Sequence, residues 1–187
     1  EQGAGTTDER IAAARKCQAW GLPIRFKFKP IIPVRGWRDE AREMIRAVFD
    51  QTRPDNLSMT VFMWMRFEEM ASCIDLDLLD PKFVDAARAE AASDWEHPRT
   101  RPFPHEVRRE IYEFYYREVR ARDKAVPLTL STESLAMWRE LGPLLGVNPV
   151  NYTCGCGPCA VPGLRTLPAN PWTAARRILP EGRPGAT

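Results

Sequence analysis

Ile24-Arg25-Phe26-Lys27-Phe28-Lys29, then the run from Trp37 to Phe49, then Leu57-Ser58-Met59-Thr60-Val61-Phe62-Met63-Trp64-Met65, form the stretch on which the architecture turns. In the first segment, apolar and basic residues alternate with a period of two. That is the pattern of a strand whose faces meet different surroundings, and Pro30 and Pro33 are expected to end it. Trp37, Ala41, Met44, Ile45, Val48 and Phe49 recur at three- and four-residue spacing, which predicts an amphipathic helix. Residues 57–65 read as a continuous, mostly apolar run, expected of a strand buried on both faces in a parallel sheet. Strand, helix and strand together make one β/α/β unit.

The pattern continues on both sides of this unit. Thr6-Thr7-Asp8-Glu9 has the form of a capping box, which predicts a helix over residues 7–20 stopped by Gly21. A helix containing Phe67, Met70 and Ile74 is expected after the second strand, and a short one near residues 82–92. Val107, Ile111, Phe114, Tyr115 and Val119 mark a long helix, followed by a strand at 126–130 and a helix at 132–141. Strands alternating with helices imply an α/β protein with right-handed crossovers. From Gly142 onward, Pro143, Pro149, Pro158, Pro162, Pro168, Pro171, Pro180 and Pro184 disfavour regular structure, and most of residues 164–187 are expected to be an extended wrap or disordered. The chain therefore divides into 1–146, which carries the α/β units, and 147–187, a proline-rich tail containing cysteines.

The 187 residues suffice for one domain that buries roughly 70% of its extended surface. With 27 basic and 25 acidic residues the net charge is +2, too small for strong general steering toward nucleic acid. No segment approaches the roughly 18 consecutive apolar residues of a membrane span. The opening Glu1-Gln2-Gly3-Ala4-Gly5 does not read as a signal peptide, so the expected location is the cytoplasm. Five cysteines, three of them crowded together, fit metal or cluster chemistry better than a secreted disulfide framework.

Several motifs carry a resemblance. Glu9-Arg10 opening a helix, then Gly21-Leu22-Pro23-Ile24-Arg25-Phe26, Pro30-Ile31-Ile32-Pro33 and Gly36-Trp37, resemble the middle of radical S-adenosylmethionine (radical SAM) proteins related to spore photoproduct lyase. Leu130-Ser131-Thr132-Glu133-Ser134 and Met137-Trp138 are similar to that family's last strand and helix. The resemblance covers roughly residues 5–162. It implies that the chain is the C-terminal portion of an incomplete (β/α) barrel, whose N-terminal half carries a Cys-x3-Cys-x2-Cys loop. Those thiolates hold a 4Fe-4S cluster with one iron left to bind SAM, and reductive cleavage of SAM yields a 5′-deoxyadenosyl radical. No Cys-x3-Cys-x2-Cys occurs here, so the expectation is a fragment, a split subunit or a degenerate paralogue. Its partner would be an N-terminal radical SAM half, in the same chain or a separate subunit.

In that setting Arg25, Lys27 and Lys29 would line the barrel as cofactor-binding residues, with Lys29-Pro30 approaching SAM and the cations meeting an anionic substrate. The alternation alone equally suits an edge strand with a solvated basic face. Independently of the resemblance, Cys154-Gly155-Cys156-Gly157-Pro158-Cys159 places three thiols in a tight, glycine-bearing turn. They are candidate ligands for an auxiliary iron–sulfur cluster, or for zinc with a fourth ligand such as Cys73, His97 or His105. Unliganded thiols in a turn are the other reading.

Residues 99–124 interleave eight Arg/Lys and five Asp/Glu with Tyr112, Phe114, Tyr115 and Tyr116. Such a mixture can bind a nucleic-acid backbone, but the helical spacing of its apolar members favours a core helix with a charged outer face. No basic β-hairpin suited to wedging into damaged DNA is present. Glu133, between a strand and a helix, is expected either to favour the helix dipole or to meet substrate. Cys17 is expected to be an ordinary buried thiol. Three classes of function remain open on the sequence: part of a radical SAM lyase, a metal-binding protein built on Cys154, Cys156 and Cys159, and an inert α/β scaffold.

Overall fold

The computed structural model describes residues 3–93 and 98–146. The capping box forms: the Glu9 amide donates to the Thr6 hydroxyl at 3.2 Å, and the Glu9 carboxylate accepts from the Thr6 amide at 2.7 Å. It starts α1 (Thr7–Ala19), and Gly21 follows at φ +80, the left-handed turn that only glycine adopts cheaply. The remaining elements are β1 (Arg25–Ile31), α2 (Trp37–Gln51), β2 (Asn56–Val61), α3 (Phe67–Cys73), α4 (Pro81–Ala91), α5 (His105–Arg122), β3 (Leu128–Leu130) and α6 (Leu135–Leu145). The three strands form one parallel sheet in the order β1-β2-β3, with Arg25 opposite Asn56, Lys27 opposite Ser58, and Ser58 opposite Thr129. The expected α/β class and parallel pairing are therefore present.

The core lies on one face of this sheet. Phe28, Leu57, Met59, Val61, Leu128 and Leu130 point toward it, and α2, α4, α5 and α6 close over them with Trp37, Ile45, Phe83, Ile111, Tyr112, Tyr115 and Trp138. Trp37 is the aromatic hub. Its ring stacks 6.4 Å from Tyr115 and meets Phe83 and Phe114 edge-on at 5.8 and 4.9 Å, the offset and T-shaped geometries that the ring quadrupole prefers. Burial pushes the Tyr115 phenol well above its ordinary range. On the outside, Arg42 bonds Glu118 at 3.1 Å and Lys82 bonds Glu110 at 2.6 Å, tying α2 and α4 to α5. The segment rich in tyrosine and arginine is thus the core helix that its spacing predicts.

Several boundaries differ from the sequence reading. β1 continues through Pro30 to Ile31 because the pairing register shifts between Phe28 and Ile31, so the residue without an N–H sits at an irregularity on an edge strand. β2 stops at Val61, well short of residue 65. α6 begins at Leu135 with Ser134 as its cap, and it runs through Pro143, which was expected to disfavour helix. Burial of Leu141 and Leu145 holds that last turn despite the lost hydrogen bond. Cys17, expected to be buried, is half-buried. No helix among the described residues is long and apolar enough to cross a membrane. The tail expectation for residues 164–187, and all of 147–187, lies outside the described residues.

Candidate functional site at the carboxyl edge of the sheet

Because the strands are parallel, all three carboxyl ends emerge on one edge, where ligands of open α/β sheets bind. β1 brings Lys29 there, β2 leads into Met63-Trp64, and β3 leads into Ser131-Thr132-Glu133. Trp64 (φ 73) and Thr132 (φ 60) are the non-glycine residues with left-handed backbone among those described. That conformation costs roughly 1–2 kcal/mol per residue, and such strain tends to persist where the surroundings fix the chain for a purpose. Trp64 is 56% exposed, and the Lys29 Nζ lies 5.1 Å from its ring centroid. An exposed aromatic with a cation over it presents a flat surface beside a positive charge.

Beneath this rim is a buried polar network. The Glu133 Oε1 accepts from the Arg108 Nε at 2.8 Å and from the Tyr112 hydroxyl at 3.1 Å, while its Oε2 accepts from the Ser134 amide at 2.8 Å. The side chains of Arg108 and Glu133 are 2% and 0% exposed. Arg108 also donates to the Phe103 and Thr100 carbonyls. The Tyr112 oxygen accepts from the Val61 amide at 2.9 Å, where β3 no longer pairs with β2. Burial, with the Glu133 carboxylate adding to it, pushes the Tyr112 phenol far above its usual range. The network fastens the ends of β2 and β3 to α5, next to the strained Thr132. Ser134, not Glu133, caps α6; the Glu133 carboxylate is instead taken up by Arg108, Tyr112 and the Ser134 amide. The carboxylate is sealed from solvent and engaged on both oxygens.

The sheet face turned away from the core carries Arg25, Lys27 and Lys29 from β1, Asn56, Ser58 and Thr60 from β2, and Thr129 and Ser131 beside them, with no apolar side chain among these. Lys27 and Lys29 are exposed and Arg25 is half-buried. The structure therefore brings the predicted cations together on one face of a strand at the edge of the described sheet. Asn56 is 1% exposed, and neither its carboxamide oxygen nor its nitrogen has a hydrogen-bond partner, an expensive arrangement for a buried polar group.

Cys154, Cys156, Cys159 and His97 lie outside the described residues. Cys73 is exposed at the end of α3, and His105 faces Glu140 at 2.6 Å. Glu140 also accepts from Arg109, and these two bonds hold its carboxyl below the usual range. Among the described residues no three His, Cys, Asp or Glu side chains are grouped to hold a metal ion. Arg108 and Asn56 were not singled out from the sequence; Tyr112 entered only among the aromatics of residues 99–124, and Trp64 only as part of the apolar run 57–65. A signal for Arg108 existed, since it lies four, seven and eleven residues before Tyr112, Tyr115 and Val119, on the stripe that α5 buries. Compared with protein-family models, curated proteins and solved structures, the chain matches none.

Proposed function

We propose that the chain forms the C-terminal half of an incomplete (β/α) barrel and serves as part of a radical SAM enzyme resembling spore photoproduct lyase, a DNA-repair-type radical lyase. The observation that carries this reading is the two-sided sheet. Three parallel strands follow one another in sequence order, one face is packed by helices, and the other carries, among the described strand residues, the basic side chains of β1 beside the buried polar side chains of β2 and β3. A doubly wound sheet reverses its strand order and covers both faces with apolar residues. A barrel wall keeps sequential order and turns one face to an interior.

Tested against the cofactors, the residues fit in part. Arg25, Lys27 and Lys29 suit the carboxylate of SAM and an anionic substrate, whereas Asn56, Ser58 and Thr60 beside them are buried within the chain. No described residues suit the 4Fe-4S cluster, and the sequence lacks the Cys-x3-Cys-x2-Cys loop, so a second half must provide it. The cluster supplies the electron for reductive cleavage of SAM. This chain's part is to line the cavity, and the Glu133–Arg108–Tyr112 network keeps the cavity's edge in place.

The test is formation of 5′-deoxyadenosine. Reconstituted with iron and sulfide without oxygen, and given SAM and dithionite, the 187-residue chain alone is expected to form none. The proposal predicts a Cys-x3-Cys-x2-Cys segment encoded just upstream, and mixed with or joined to it the chain is expected to form product. Product from the chain alone, or none from the assembled pair, contradicts the proposal.

A further inference from the structure

α1 is closed at both ends by its own residues. The capping box of Thr6 and Glu9 satisfies its start. At its end the Trp20 amide returns to the Lys16 and Cys17 carbonyls, that of Gly21 to Gln18 and that of Leu22 to Cys17. Toward the body of the protein α1 buries Ile11, with Ala12, Ala14, Cys17 and Gln18 half-buried, whereas α2 buries Trp37, Ala41, Ile45 and Val48. Gln18 adds a two-bond clamp: its carboxamide nitrogen donates to the Arg53 carbonyl at 2.7 Å, and its oxygen accepts from the Arg53 amide at 2.9 Å. The sheet is fastened separately. The Ile24 amide donates to the buried Asp55 carboxylate at 2.7 Å, and the Asp55 amide donates to the Ile24 carbonyl at 2.7 Å. Gly21, Leu22 and Pro23 join the two attachments, with Gly21 at φ +80. Local opening is cheapest where a segment buries little apolar surface and its neighbours hold without it, and both conditions meet at α1.

We propose that α1 is a strap that undocks from α2 as one unit, hinged at residues 21–23, while the sheet and the other helices stay folded. Undocking withdraws Ile11 from the core and breaks the Gln18 clamp on Arg53. A free helix of 13 residues is marginal in water, so α1 unwinds once released and its amides open together. Because Asp55 holds Ile24 independently, the opening ends before β1. The open state uncovers the flank of α2 that α1 contacts and the Cys17 thiol, which is half-buried when the strap is closed.

Hydrogen exchange of the full chain and alkylation of Cys17, both read peptide by peptide by mass spectrometry, test the strap. In the unaltered protein the amides of residues 11–19 should share one level of protection, about a hundredfold or more below that of α2 and β2. Gln18→Ala should speed their exchange and the alkylation of Cys17 together, by about tenfold or more for the loss of two hydrogen bonds, and leave α2 and α5 unchanged. Alanine favours helix more than glutamine does, so faster exchange reports the lost clamp rather than a weaker helix. Protection in α1 equal to that of α2, with both accelerated in Gln18→Ala, would show that α1 opens only with the whole fold and overturns the proposal. Protection graded from one end of α1 to the other would show fraying and overturns it as well, as does Cys17 alkylation that Gln18→Ala leaves unchanged.

Discussion

Glu133→Ala is expected to destabilise the protein by about 3–5 kcal/mol, the usual result of removing one member of a buried ion pair. Its side chain is 0% exposed and that of Arg108 is 2% exposed, so the guanidinium would stay in the interior with only the Phe103 and Thr100 carbonyls as partners. The Tyr112 hydroxyl and the Ser134 amide would each lose their acceptor. For a protein of this size the melting midpoint should fall by about 10 °C. Tyr112→Phe should cost less, about 1–3 kcal/mol, because it chiefly strands the Val61 amide. Replacing Arg108 and Glu133 together by apolar residues should recover most of the loss, since neither charge is then buried alone. Thermal melting of these variants is the check, and a midpoint unchanged in Glu133→Ala would remove the network from any role in holding the sheet edge.

The second large effect concerns Cys154, Cys156 and Cys159. We expect the chain purified without oxygen to carry metal or an iron–sulfur cluster on these thiolates, and the triple serine variant to carry none. Thiols separated by one and two residues, with Gly155, Gly157 and Pro158 between them, need little further ordering to face a common point. A metal that binds only the folded state adds its binding energy to stability, about 2.7 kcal/mol when present at a hundredfold its dissociation constant. The triple variant should therefore also melt earlier. Equal metal content and equal midpoints in the two proteins would reduce the motif to an ordinary turn.

What could be read from the sequence was local and periodic. The alternation from Ile24 to Lys29 gave β1 and its basic face, and the spacing from Trp37 to Phe49 gave α2 and its buried stripe. The same habit found the second strand as a buried parallel one but carried it to residue 65, past its end at Val61, and it passed over the alternation of Asn56, Ser58 and Thr60 with Leu57, Met59 and Val61. The strand is buried on both sides, as expected, yet only one side is apolar. Glu133 was visible as a residue between a strand and a helix. Its partner Arg108 lies 25 positions away on α5, and no local pattern reports that distance. The left-handed turn at Trp64 carried no signal either, since that conformation is usually left to glycine.

The central claim is that the polar face of the sheet becomes the inside of a barrel, and lysine reactivity tests it most directly. Lys29 is exposed in the chain described here, so its amine should acetylate readily when the chain stands alone. In the assembly with the cluster-bearing half and SAM it would face an enclosed cavity, and its acetylation, read peptide by peptide by mass spectrometry, should fall sharply while that of Lys82 on α4 stays the same. Equal labelling of Lys29 with and without the second half would contradict the account, leaving β1 an edge strand with a solvated basic face.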